Sequence, residues 1–220
     1  YAPSLRSATA AEFADIDLKG LLADFAALSV REQESVAVIE QLTGRTPKVV
    51  LDPTLLPAAQ DFVPILGTAP EGDYLFFYSI DYPPEVCRTV QQTARRLHLP
   101  VYILFTSNKT YRALPYGFRL ARHQTPGDFL ALVKGAKLVL STSFHGTVFA
   151  LRFGTPFYAL KAKRGAAYYT DPRIATLLQT AGVAERYLPC DRAGEIRNPA
   201  LLDRAVAESR AFLQEGLTAR

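Results

Sequence analysis

The sequence predicts an α/β protein built on a parallel sheet with flanking helices. Three observations carry the prediction. Apolar runs of strand length alternate with helical patterns along most of the chain. Residues 74–80 are almost continuously apolar and aromatic, as a strand covered on both faces must be. Residues 138–151 read as a buried strand, a small polar turn (Ser141-Thr142-Ser143), and then an apolar helix opened by His145-Gly146. Spacing of this kind is Rossmann-like.

Taken in order, residues 1–25 are irregular and polar, ending in a short apolar segment. A strand is predicted over 26–30, then a helix over 32–43 with Val36, Ile39 and Leu42 on one face and Gly44 as its stop. Residues 48–51 form a short strand, broken by Asp52-Pro53. Residues 57–70 read as a linker with a short helix. Pro83-Pro84 then opens a helix through residue 97, and 101–105 is the next buried strand. Residues 106–124 form a polar, aromatic loop that holds at most one strand at 118–120. Helices follow over 126–134, 145–153 and 172–181, with strands over 138–140 and 157–160. Asn198-Pro199 starts a last helix to about residue 217. The break divides the chain into residues 1–66 and a complete second unit, 67–220.

Composition narrows the function. The chain has 220 residues, 49% hydrophobic and 21% charged, enough to bury a sizeable core. No apolar run reaches the roughly 18–20 residues of a membrane span. A net charge of +4 without a dense basic stripe favours small anionic substrates over nucleic acid. Cys87 and Cys190 stand far apart, which reads as reduced, cytosolic thiols rather than a disulfide framework or zinc site. The chain lacks a GxGxxG, a Walker loop, a GxSxG elbow and any metal-ligand spacing.

The turn at residues 143–147 is the leading candidate site. It falls at the carboxyl end of a strand, where open α/β sheets bind ligands, and the amides of a helix start favour an anion. His145 can donate a hydrogen bond or pass a proton there. Gly146 either lets a ligand approach the backbone or packs helix on sheet. Ser143 and Thr147 can bond phosphate oxygens or act as ordinary caps. Arg31 follows a strand and precedes a helix, facing a ligand or pairing with Glu32 or Glu34. Asp52 is an acid/base group or, more simply, a turn cap at an interdomain hinge. Lys161, Lys163 and Arg164 cluster after the 157–160 strand, to bind a sugar-linked diphosphate or to lie in solvent. Arg173 at a helix start is electrostatically misplaced, which points to a ligand or interdomain contact. His98 and His123 read as surface residues.

The run from Ser143 to Leu160 resembles a signature of the polysaccharide pyruvyltransferase family. Three more segments match in order: Ala27-Leu28-Ser29-Val30-Arg31-Glu32, Val49-Val50-Leu51-Asp52-Pro53-Thr54-Leu55-Leu56, and Thr125-Pro126-Gly127-Asp128-Phe129-Leu130. The resemblance covers about residues 26–182. It implies two Rossmann-like domains facing each other across a cleft (the GT-B arrangement), with residues 1–56 ending the first and most of that domain, including an acid/base, lying upstream of Tyr1. It further implies a transferase that moves the enolpyruvyl group of phosphoenolpyruvate onto a sugar or lipid-linked glycan of the bacterial surface or capsule as a ketal. That reaction needs no cofactor beyond the donor. It would run in the cytoplasm, with at most peripheral contact at the inner face of the membrane. Under the resemblance, His145 is catalytic, and Arg31, Ser143, Phe144, Gly146, Thr147, Lys161, Arg164 and Arg173 bind substrate. One departure stands out: many family members have arginine two positions before the histidine, where this chain has Ser143. A GT-B glycosyltransferase using a nucleotide sugar and a non-catalytic glycan- or nucleotide-sugar-binding remnant are the rival readings.

Overall fold

A computed structural model describes residues 3–5, 8–50 and 52–196. The helix predicted over 198–217 lies outside the described residues. The chain divides into two compact units, Tyr1–Pro57 and Ala58–Arg220, where the sequence predicts the end of a first domain over 1–56 followed by a linker counted with it to residue 66. The stretch between these two boundaries has a physical reason to join the second unit. It folds as a 3-10 helix, Ala59–Ile65, whose Phe62 ring stands edge-on to Phe149 and Phe153 with centroids 5.2 and 6.1 Å apart.

The first unit contains a one-turn helix α1 (Leu18–Leu21), strand β1 (Ser29–Val30), helix α2 (Glu34–Thr43) and strand β2 (Lys48–Val49). β1 and β2 pair in parallel. The buried face of α2 runs through Ser35, Ile39 and Thr43, not Val36, Ile39 and Leu42. Hydroxyls make that rotation affordable: Ser35 donates to Glu32 at 3.2 Å and Thr43 to the Ile39 carbonyl at 2.8 Å. No polar group on that face is stranded by burial.

The second unit is a parallel sheet with helices. Its elements are β3 (Leu75–Tyr78), α3 (Pro84–Leu97), β4 (Val101–Ile103), β5 (Arg119–Leu120), α4 (Pro126–Gly135), β6 (Leu138–Ser141), α5 (Phe144–Phe153), β7 (Phe157–Lys161), β8 (Lys163–Arg164), β9 (Ala167–Tyr168), α6 (Pro172–Thr180) and β10 (Tyr187–Pro189). Six strands form one sheet in the order β10-β7-β6-β3-β4-β5, every pairing parallel, while β8 and β9 make a separate antiparallel hairpin. The core lies at the centre of the sheet, where Leu75, Phe76 and Phe77 of β3 face Leu138, Val139 and Leu140 of β6 in register, all fully buried. Burial of each such side chain contributes about 1.5–3 kcal/mol. Gly154 ends α5 at φ 72°, a left-handed conformation natural to glycine, and its amide reaches back to the Ala150 and Leu151 carbonyls.

The loop predicted over 106–124 is more ordered than its composition suggests, since it contains a 3-10 helix, Asn108–Tyr116, capped by Ser107. The hairpin β8–β9 and strand β10 are not predicted from the sequence. Because all six sheet strands run the same way, Tyr78, Ile103, Ser141 and Lys161 end on one edge. The turn before α5 sits on that edge.

Candidate functional site at the carboxyl edge of the sheet

The polar turn after β6 is wired to the end of β3. Ser141 Oγ lies 3.0 Å from the Tyr78 carbonyl and 3.3 Å from the Ser143 carbonyl, and it accepts the Ser143 amide at 2.9 Å. Thr142 donates its amide to the Tyr78 carbonyl at 3.2 Å and its hydroxyl to Ser79 Oγ at 2.8 Å. Thr106, just beyond β4, donates its hydroxyl to the Ser79 carbonyl at 2.9 Å. Three strand ends are thereby fixed relative to one another by hydroxyl groups.

The first turn of α5 rests directly on this wiring. A Cβ on Gly146 would lie 2.2 Å from Ser141 Oγ and 3.1 Å from the Tyr78 ring, so glycine here permits helix-on-strand contact. Thr147 is fully buried, and its hydroxyl donates to the Ser143 carbonyl at 3.0 Å, closing the turn from inside. Ser143 takes the extended backbone of a cap residue, but among the described residues its side chain makes no cap hydrogen bond. The first amides of α5 have no acceptor within the helix. Burial pushes the Tyr78 phenol above its ordinary pKa, so it stays a neutral hydroxyl.

His145 is half-buried and lines a pocket of about 410 Å³ with Tyr78, Phe105, Thr125, Phe129 and Phe149. Thr125 caps α4, its hydroxyl accepting the Asp128 amide at 3.2 Å. Two of the segments singled out in the sequence, Thr125–Leu130 and Ser143–Gly146, therefore meet at one cavity. Phe144 is buried, its ring edge-on to His145 at 5.4 Å, and the Arg173 guanidinium lies over it at 5.3 Å. Arg173 also donates to both oxygens of Asp171, at 3.0 and 2.6 Å. Asp171 is the cap of α6, so its carboxylate offsets the positive charge that looked misplaced at that helix start. The inference of a ligand from that misfit loses its premise, although Arg173 does reach the ring beside His145.

The cations after β7 are arranged differently. Lys161 lies 4.7 Å over Tyr187, Lys163 5.3 Å over Tyr168, and Arg164 3.6 Å over Tyr169. Lys163 also pairs with Asp191 at 3.7 Å. Each cation is thus held by an aromatic face. Among the described residues, the lining of the His145 pocket includes none of Lys161, Arg164 and Arg173.

In the first unit, Arg31 pairs with Asp52 and lies 3.4 Å from Glu32, both carboxylates being buried. Its partners include Glu32, one of the two acids suggested by the sequence, and Asp52, which was not suggested. Asp52 caps the turn after β2, accepting from the Thr54 amide at 3.0 Å and hydroxyl at 2.6 Å, the simpler of its two expected roles. The two remaining segments, around Arg31 and Asp52, therefore also meet. His98 and His123 are exposed.

Sequence reasoning missed Ser79, Thr106, Thr142 and Tyr82. Tyr82 holds a left-handed backbone at φ 45°, unusual for a side chain of its bulk. It is fixed by its amide to Ser79 Oγ at 3.1 Å and its hydroxyl to the Leu104 carbonyl at 2.7 Å. The available signal was topological, because the segment Ser79–Tyr82 follows the central strand on the same edge as His145. Strain of this kind gathers at functional edges.

The parallel sheet with a strand–turn–helix at its carboxyl edge defines a Rossmann-like α/β protein, and that edge is where its candidate site lies. The chain belongs to the polysaccharide pyruvyl transferase family, whose model matches residues 1–163. No curated protein matches it. Among solved structures, it is similar to the UDP-GlcNAc 2-epimerase of Methanocaldococcus jannaschii in complex with UDP-GlcNAc and UDP (12% identity, TM-score 0.48, covering 89% of this chain and 61% of that one). It is also similar to MurG of Acinetobacter baumannii (12% identity, TM-score 0.47, 92% of this chain, 68% of that one). A third is the E. coli heptosyltransferase WaaC with ADP (14% identity, TM-score 0.41, 82% of this chain, 58% of that one). The chain spans 61% of the length of the first. Among the described residues, no helix is long and apolar enough to cross a membrane.

Proposed function

We propose that this chain is part of a pyruvyltransferase that moves the enolpyruvyl group of phosphoenolpyruvate onto two hydroxyls of one sugar in a surface glycan or its lipid-linked precursor. The methylene carbon of the donor gains a proton, one sugar hydroxyl adds to the neighbouring carbon, and phosphate leaves with the former ester oxygen. The second hydroxyl then closes the ketal, and the two hydroxyl protons balance the one gained by carbon and the one carried off by phosphate. Catalysis needs an anion clamp at the departing phosphate and an acid at the methylene carbon.

The observation that carries the reading is His145 on the first turn of α5, at a pocket on the carboxyl edge of the sheet, in a chain of this family. In this reading His145 and the first amides of α5 hold the phosphate, and Ser143 adds a hydroxyl. Phe144 positions the imidazole, with Arg173 stacked behind it. Gly146 and Thr147 shape the turn from beneath. Arg31 binds substrate through its guanidinium, and Lys161 and Arg164 serve the acceptor side. Two free, buried thiols support a cytoplasmic setting, where acceptors would be met at the inner face of the membrane.

The test is calorimetric titration of the intact protein and His145→Ala with phosphoenolpyruvate and with UDP-GlcNAc. Phosphoenolpyruvate binding that disappears in His145→Ala supports the reading. Binding of the nucleotide sugar alone would instead support a glycosyltransferase or a non-catalytic nucleotide-sugar-binding protein, which turnover of the nucleotide sugar would tell apart.

A further inference from the structure

The rim of the His145 pocket exposes an aromatic pair. Phe105 is 47% exposed and Tyr111 62% exposed, with ring centroids 5.7 Å apart at 70°. Phe105 lines the same cavity as His145. Apolar rings left in water beside a cavity mark ligand surfaces.

The segment that carries the rings is pinned in place. The Phe105 amide donates to Gln124 Oε1 at 2.6 Å, and the Ser107 hydroxyl to the Ile80 carbonyl at 2.8 Å. The amides of Thr106 and Ser107 both donate to Thr110 Oγ1, at 3.1 and 3.3 Å. The rings therefore present a preformed face, which lowers the entropic cost of binding. The polar side chains on the same wall already have partners within the protein. Gln124 accepts from Phe105, Thr106 donates to Ser79, and Thr125 donates to Asp128 at 2.6 Å. What this wall offers a ligand is aromatic surface.

We propose that Phe105, backed edge-on by Tyr111, is the stacking platform for a pyranose ring of the acceptor glycan. Naming the occupant as the acceptor rests on the reading of the His145 turn as the donor site. A hexopyranose has a face of C–H bonds, which suits the electron-rich face of an aromatic ring, and a rim of hydroxyls. The cavity of about 410 Å³ falls within the range of small-molecule sites. It is larger than a three-carbon phosphate ester fills, so a sugar ring fits between Phe105 and the donor. Stacking on Phe105 would then turn hydroxyls towards the His145 end.

The test is saturation-transfer NMR on the intact protein with the methyl glycosides of glucose, galactose, mannose and N-acetylglucosamine, with uridine as a comparison. Phosphoenolpyruvate affinity is measured alongside by calorimetry. At least one glycoside is expected to receive saturation at its ring protons. Phe105→Ala should weaken its binding about tenfold and Tyr111→Ala about threefold, consistent with loss of one aromatic contact. Both rings are exposed, so melting temperature and phosphoenolpyruvate affinity should hold in both variants. The proposal is overturned if no glycoside receives saturation, if Phe105→Ala leaves glycoside binding intact, or if uridine alone gives the Phe105-dependent signal. Phe105-dependent glycoside binding without any phosphoenolpyruvate binding would keep the platform and remove the donor reading.

Discussion

The two units use their family segments in opposite ways. In the second, the segments at Thr125 and His145 stand apart and frame a cavity of aromatic rings and hydroxyls. In the first, the segments at Arg31 and Asp52 close on each other, with one guanidinium against two buried carboxylates. A cavity offers room for a ligand, whereas a guanidinium held between two carboxylates already has structural work. The edge of the second unit is therefore the stronger candidate site, and Arg31 must show a ligand effect separate from its structural one.

The largest expected effect breaks the first unit. Arg31→Ala would leave Glu32 and Asp52 buried without their shared guanidinium. Breaking a buried pair costs about 3–5 kcal/mol, and the partial exposure of Arg31 puts the expectation at the lower end, read as a fall in denaturation midpoint. Arg31→Lys tests whether that is all Arg31 does. It keeps the charge and loses the planar fork, so unchanged phosphoenolpyruvate affinity with lower stability would make Arg31 purely structural.

The mirror experiment is His145→Ala, where binding and stability should part company. Donor affinity should fall by about 1.5–3 kcal/mol, the worth of a charge-assisted hydrogen bond. Stability should change by about 1 kcal/mol or less, since the imidazole is only half-buried. Unfolding on substitution would place His145 with Arg31 instead.

Gly146→Ala sharpens the comparison by attacking the contact beneath the site. Its Cβ would meet Ser141 Oγ at 2.2 Å and Cβ at 3.0 Å, and overpacking of that order costs about 1–3 kcal/mol. Adding Ser141→Gly removes both atoms and should recover part of the loss. Thermal melts of the single and double variants check the pairing.

The smallest effect appears only in acid. Hydrogen bonds from the Thr125 hydroxyl, and then from the Thr68 and Thr125 amides, hold the Asp128 carboxyl well below the usual carboxylate range. A carboxyl with a depressed folded pKa adds stability above its unfolded value of about 4. That stability is lost as pH falls from there towards the folded value. Asp128→Asn should flatten this acid limb in denaturation midpoints measured across the acid range, and an unchanged slope would discount the network.

Much of the second unit was legible because its signals are local. The aromatic run of β3 and the apolar β6 show their burial directly, and Pro84, Pro126 and Pro172 mark helix starts. The turn at His145 was legible for the same reason. What stayed hidden depends on contacts across the fold. β10 has three residues and is a strand only because β7 lies beside it. Tyr82 takes a left-handed backbone without a glycine to announce it, and Ser79 becomes a junction only when Thr106 and Thr142 reach it. Arg173 looked misplaced because Asp171, two residues earlier, was not read as its partner.

The strand order has a consequence for how the chain assembles during synthesis. β3 leaves the ribosome first of the six sheet strands yet ends at the centre, with β4 on one side and β6 on the other. Its partner on the first side follows soon after, but Leu75 waits for Leu138 on the second. Until then the nascent sheet has an open edge beside Leu75, Phe76 and Phe77, the kind of surface on which unfinished chains stick to one another. Synthesis of β6 therefore ends this exposure just before α5 adds His145 and Phe149 to the candidate pocket.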